Sequence, residues 1–252
     1  VETKARWGFL GTSVWTLAIA IVFVLTQTIA ALIYLGAVKG DPTQLKNMEA
    51  LAEDGDVLSV STWATFFVCG LLVFVAVLSK SGADIRDYLG FHNVSWRVYV
   101  VGIVAMIALM MIIELGNLVF NRPVPETMFN AYRTADNKMW FCLAIVLAAP
   151  VFEELFFRGF LHSGLERTVL GVAGAIVISA GFWALVHIQY QVYEVVMIFL
   201  MGTVLGLARW LTGSIYIPIV MHGLNNLVST VQISYLSSQE IIVSANLFEA
   251  FR

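Results

Sequence analysis

Apolar runs at residues 7–35, 61–78, 98–120, 138–168, 172–188, 192–211 and 218–235 take up most of this chain. Each approaches or exceeds the ~20 residues that carry an α-helix across the hydrocarbon core of a bilayer, and the end of the over-long run 138–168, with Glu166 and Arg167, is expected to project into the headgroups. A backbone in hydrocarbon must satisfy its own hydrogen bonds, and a helix does so within the segment. The expected fold is therefore all-α, a polytopic transmembrane bundle of about seven to eight helices. The eighth would be a short interfacial helix, or the remnant of one, at 239–252. Composition leads the same way: 60% of the 252 residues are hydrophobic and 12% charged, with a mean hydropathy of +0.85. A soluble domain is about a quarter charged, so this chain has too few polar side chains to cover itself in water. The lipid bilayer is the expected partner. A net charge of −3 leaves no basic footprint for nucleic acid.

The chain opens Val1-Glu2, as expected of a trimmed N-terminus. Its first apolar run exceeds the ~7–15-residue core of a signal peptide and has no cleavage site, so it reads as a spanning helix. The loops 39–59 and 121–137 read as solvated excursions, the first for Asp41-Pro42 and Gly55, the second for Pro123 and Pro125. With the N-terminus inside, Lys4, Arg6, Lys80, Arg86, Arg97, Arg167 and Arg209 fall on the cytoplasmic side, a slight positive-inside excess. Cys69 and Cys142 sit in apolar runs and read as small buried hydrophobes. No repeat is evident. The expected organisation is N-terminal helices and loops over 1–137, a core over 138–235 and a tail over 236–252.

Charges inside a span cost a few kcal/mol or more and mark function by default. The densest cluster is Pro150-Val151-Phe152-Glu153-Glu154-Leu155-Phe156-Phe157-Arg158, three ionisable residues in six positions among phenylalanines. Glu154 and Arg158 are i,i+4 neighbours and can pair. Glu153 lies about 100° round the helix and is left as the unneutralised carboxylate. The blander alternative is a buried ion-pair triad holding the bundle together. A second polar point is His187, one turn after Trp183 and followed by Gln189, Tyr190 and Gln191, a pattern that suggests a water-filled cavity. Alone, such a His is more often an interfacial or hydrogen-bonded residue. The third is His222 with Asn226, i,i+4 on a helix that Pro218 suits as a start. Asn here can be interhelical glue or functional. If the chain turns near Gly171, Glu153 is 18 residues before the turn and His187 is 16 after it. At ~1.5 Å per residue they reach similar depth. For His222 to join them, an extended segment at 213–217 would have to climb back from the far side.

These residues resemble the CPBP family of intramembrane proteases, which includes the type II CAAX prenyl endopeptidases. The family shows Glu-Glu-x-x-x-Arg, then Phe-x-x-x-His, then His-x-x-x-Asn. Glu153-Glu154-Leu155-Phe156-Phe157-Arg158 matches the first and His222-Gly223-Leu224-Asn225-Asn226 the third. The second departs, with Trp183 in place of Phe before Ala184-Leu185-Val186-His187. The likeness spans roughly 140–231. It implies that Glu153 is the general base on water, assisted by His187, and that His222 and Asn226 stabilise the oxyanion. Glu154 and Arg158 would then orient and balance charge.

The resemblance also raises zinc, since the family is commonly labelled metalloprotease. Two His and one Glu form a known catalytic zinc set. If a metal is present, Glu153, His187 and His222 would hold it, with Glu154 as base. No His-Glu-x-x-His helix exists and Asn is a poor zinc ligand, so a metal-independent glutamate mechanism is expected. The implied substrate is a membrane-associated peptide or protein, lipidated if the CAAX likeness extends that far, and the implied location is a bacterial cytoplasmic membrane. Glu114 is a further intramembrane suspect or equally a hydrogen-bonded structural residue, Glu194 lines a cavity mouth or snorkels to the interface, and His162 reads as a residue near the interface; His92 receives no role. The competing classes are a non-catalytic immunity or sequestering protein, which would not need Glu153, and a proton-coupled transporter, for which repeats are lacking.

Overall fold

The computed structural model describes residues 5–39, 51, 53–122, 125–187 and 189–250. Most of the 39–59 loop, Pro123 and Ile188 lie outside these. The described residues form nine helices and no strand: α1 (Phe9–Tyr34), α2 (Gly55–Leu78), α3 (Ile85–Leu89), α4 (Trp96–Val119), α5 (Glu126–Thr134), α6 (Lys138–Leu165), α7 (Gly171–Leu185), α8 (Val192–Thr212) and α9 (Tyr216–Ala250). This is the expected helical bundle of a multi-pass membrane protein. Apolar side chains on its outside, such as Leu10, Leu17, Met111 and Ile112, face where lipid would be.

Among the described residues five helices are long and apolar enough to cross a membrane, where the sequence suggested seven: α1 with the π turn after it, α2, α4, α6 and α8. The run at 172–188 yields only the 15 residues of α7, about 22 Å of helix against a ~30 Å core. The reason lies in His187. Its backbone N–H turns to the Ala184 carbonyl instead of Trp183 four residues back, and its ring Nδ1 takes the Trp183 carbonyl so released. The run at 218–235 is helical, but His222, Asn225 and Asn226 dilute its apolar character. It begins at Tyr216, with Pro218 in its first turn, and continues to Ala250.

Two segments read as loops are partly helical. α2 starts at Gly55, six residues before the apolar run, because Asp54 caps it by accepting from the N–H groups of Asp56 and Val57 at 3.0 Å. α5 occupies most of the supposed 121–137 loop and tucks Ala131 and Ala135 against Gly55. The polar stretch after α2 also holds a helix, the single turn of α3, whose Tyr88 and Leu89 are buried. The climb-back before α9 is three residues, 213–215. The Gly90 carbonyl beyond α3 accepts the Ile215 N–H at 2.8 Å, so protein satisfies that irregular backbone.

α6 runs through the centre. Phe152, Phe156 and Phe160, spaced i, i+4, i+8, make one stacked face, continued by Phe23 of α1 and Tyr88 of α3. Glu154 and Arg158 lie about 200° round from that ladder and face α7, α8 and α9.

Candidate active site

α6 is not a regular helix. It contains π-helical stretches at Ala144–Ala148 and Leu155–Leu161, on either side of the Glu153-Glu154 pair. Pro150 accounts for one consequence. In the first stretch the Ala149 N–H reaches the Ala144 carbonyl, so the next carbonyl, Ile145, awaits a donor from residue 150. Proline has none. Asn226 of α9 supplies it, donating from Nδ2 to the Ile145 oxygen at 2.9 Å. The helices approach closely there: a Cβ on Gly223 would sit 3.2 Å from the Val146 carbonyl.

One turn before Asn226, His222 Nδ1 lies 2.9 Å from Glu154 Oε1. The same oxygen receives Arg158 Nη1 at 2.9 Å, and Arg158 Nη2 donates to the Gly202 carbonyl at 3.0 Å. Glu154 and Arg158 are fully buried and His222 nearly so. A Cβ on Gly202 would come within 2.9 Å of the Trp183 ring and 3.1 Å of the Arg158 guanidinium, so only glycine lets α8 approach this pair so closely. The i,i+4 pair read from sequence is thus present, and it extends to His222.

Glu153 belongs to a different set of contacts. It is half-buried, and its Oε2 accepts a hydrogen bond from the indole Nε1 of Trp183. That indole also meets His187 edge-on at 5.3 Å between centroids and His222 at 5.1 Å, and carries the Arg158 guanidinium over its face at 4.6 Å. Glu153, Arg158, His187 and His222 therefore all touch Trp183. Asn226 follows one turn after His222 along α9.

Proton positions follow from the partners. A carbonyl only accepts, so His187 Nδ1, 2.7 Å from the Trp183 oxygen, carries the proton. In the neutral ring Nε2 is then an acceptor. On His222, Nδ1 faces a carboxylate held by Arg158, so Nδ1 donates there too. For Nε2 of His222 to donate as well, the ring must carry both protons.

Tyr190, in the turn between α7 and α8, stacks on the His187 ring at 6.2 Å. Burial first, then the charges of Glu153 and Glu194, push its phenol up to about 12, so it remains a neutral donor. Glu194 thus lies near enough to act electrostatically on the loop beside His187. The Ile145 and Gly202 carbonyls were not legible as site components. Trp183 and Tyr190 were visible only as neighbours of His187, and Trp183 also as a break in a motif.

The remaining polar residues lie elsewhere. Glu114 accepts from Asn117, which accepts from Tyr193, and its side chain is exposed. His162 is buried, with Nε2 3.4 Å from Glu166 Oε2. His92 sits 3.3 Å from Asp87. Cys69 is buried and Cys142 half-buried, and both are free thiols. Among the described residues, no three His, Cys, Asp or Glu side chains are grouped to hold a metal ion.

Residues 135–228 match the family model described as type II CAAX prenyl endopeptidase Rce1-like, the group that the three motifs resemble. The matched segment runs from before α6 into α9 and contains every residue of this cluster. No curated protein and no solved structure gave a match. The family match supports a CAAX-type intramembrane endopeptidase in general, acting on membrane-associated substrate.

Proposed function

Starting from a segment of the type II CAAX prenyl endopeptidase family, we propose that this chain hydrolyses a peptide bond of a membrane-associated peptide or protein with Glu153 as general base. The observation that carries the reading is the division of labour between adjacent carboxylates. Glu154 is enclosed by Arg158 and His222, whereas Glu153 is half-buried and holds only the Trp183 N–H among the described bonds. A carboxylate whose charge is spoken for cannot easily accept a proton from water; Glu153 can.

Water held by Glu153 and by Nε2 of His187 would lose a proton to the carboxylate as it attacks the scissile carbonyl. The carbonyl oxygen becomes the oxyanion, to be met by His222 and by the second amide hydrogen of Asn226. Collapse of the tetrahedral intermediate breaks the C–N bond, and the proton held by Glu153 passes to the leaving amine. Arg158 holds Glu154, which in turn orients His222.

The test is cleavage of a fluorogenic peptide bearing a prenylated cysteine, alongside its unprenylated counterpart, by protein purified in detergent. Glu153→Gln keeps size and hydrogen-bonding capacity but removes the base, and should lose nearly all cleavage with normal folding. If Glu153→Gln supports full biological function in cells, the protein acts by sequestering rather than cutting.

A further inference from the structure

We propose that Trp183 is a positioning residue that fixes the orientation of the Glu153 carboxylate through its indole N–H. The proposal rests on the reading of Glu153 as general base. Where the resembling family has Phe, this chain has a larger, bicyclic aromatic that carries one donor, and the structure directs that donor at Glu153 Oε2.

The indole can serve as a fixed reference because it cannot move. It is 1% exposed and wedged against α8 at Gly202, where a Cβ would approach Cε3 to 2.9 Å. The Arg158 guanidinium covers its face, and the His222 ring meets it edge-on. An indole N–H donates only and has one hydrogen, so its bond engages one carboxylate oxygen in one direction. With Oε2 held, Oε1 is the oxygen left to face water. The same residue's backbone carbonyl takes the Nδ1 proton of His187 at 2.7 Å. Side chain and main chain of one tryptophan thus set the orientation of both groups assigned to water activation. A base oriented by a third group is the general arrangement of hydrolytic sites, and a misplacement of about 1 Å can cost roughly 10²-fold in rate.

Two variants remove the N–H while keeping an aromatic ring: Trp183→Phe, and replacement of Trp183 by 3-benzothienylalanine, which keeps the bicyclic outline. On the fluorogenic prenylated peptide both should lower kcat about 10- to 100-fold with KM unchanged, and the benzothienyl protein should keep the wild-type melting temperature. A readout independent of catalysis is the indole ¹⁵N–¹H resonance of Trp183, identified among the seven tryptophans by its loss in Trp183→Phe. It should lie downfield in the wild type and move upfield in Glu153→Ala. An indole resonance indifferent to Glu153→Ala, or full kcat for the benzothienyl protein beside an inactive Glu153→Gln, overturns the proposal. Full activity of Glu153→Gln overturns instead the reading of Glu153 as base.

Discussion

Arg158 Nη1 lies 2.9 Å from Glu154 Oε1, and neither side chain has any exposure to solvent. Such a pair contributes little over a well-packed apolar replacement, but breaking it leaves the buried Glu154 charge with only the His222 N–H. Arg158→Ala should therefore lower stability by about 3–5 kcal/mol as well as reduce activity. Arg158→Lys should not restore it, because one ammonium cannot span both Glu154 and the Gly202 carbonyl as the guanidinium fork does. Thermal unfolding in detergent measures both; a wild-type melting curve for Arg158→Ala would contradict the assignment.

Asn226 donates to the Ile145 carbonyl and is proposed as an oxyanion donor, two jobs that a double-mutant cycle can separate. As an oxyanion donor its loss in Asn226→Ala should cost about 10²–10³ in turnover. As donor to the Ile145 carbonyl its loss should cost about 1–3 kcal/mol of stability. Pro150→Ala returns an N–H that can reach Ile145. In that background Asn226→Ala should lose less stability while turnover stays depressed. Equal stability losses in both backgrounds would exclude the link between Pro150 and Asn226.

Metal dependence is tested by removal. Cleavage should survive exhaustive dialysis against a strong chelator, and elemental analysis should find no stoichiometric zinc. One zinc per chain, lost in His187→Ala and in His222→Ala, would replace the glutamate mechanism with a metal-assisted one while keeping the same residues.

Glu166, just beyond α6, gives a pH prediction. Burial raises its carboxyl, but His162 and the guanidiniums of Arg6 and Arg209 outweigh that and hold it below the usual carboxylate range. A depressed folded-state value means stability that is present above the unfolded value, ~4.5, and lost as pH falls through the folded one. Glu166→Gln should thus be less stable at neutral pH, with the difference closing in acid. Melting temperature followed from pH 7 to pH 3 checks this, and a constant difference would refute it.

The three polar motifs were legible because charge in an apolar run has few explanations. Helical spacing alone placed Glu154 on Arg158 and set Glu153 apart. Spacing could not show where partners come from other helices. The Trp183 N–H reaches back thirty residues to Glu153, and His222 crosses sixty-eight to Glu154. The bundle was legible from run length, but helix ends were not. Asp54 extended α2 into an apparently polar loop, and His187 ended α7 with its own side chain. α5 was hidden because its small buried face, Ala131 against Gly55, carries almost no hydrophobic signal.

The brevity of α7 has a further consequence for the surrounding lipid. Fifteen residues leave roughly 8 Å of a ~30 Å hydrocarbon layer uncovered, and a bilayer meets such a deficit by thinning around the protein. His187 and Tyr190 lie at the end of α7, so thinning there would shorten the distance a polar segment must travel from the aqueous phase to Glu153. If the chain cleaves as proposed, bilayer thickness would then control the rate. In vesicles of increasing acyl-chain length, cleavage should slow as the dimple over α7 becomes harder to maintain, with no change in the protein itself.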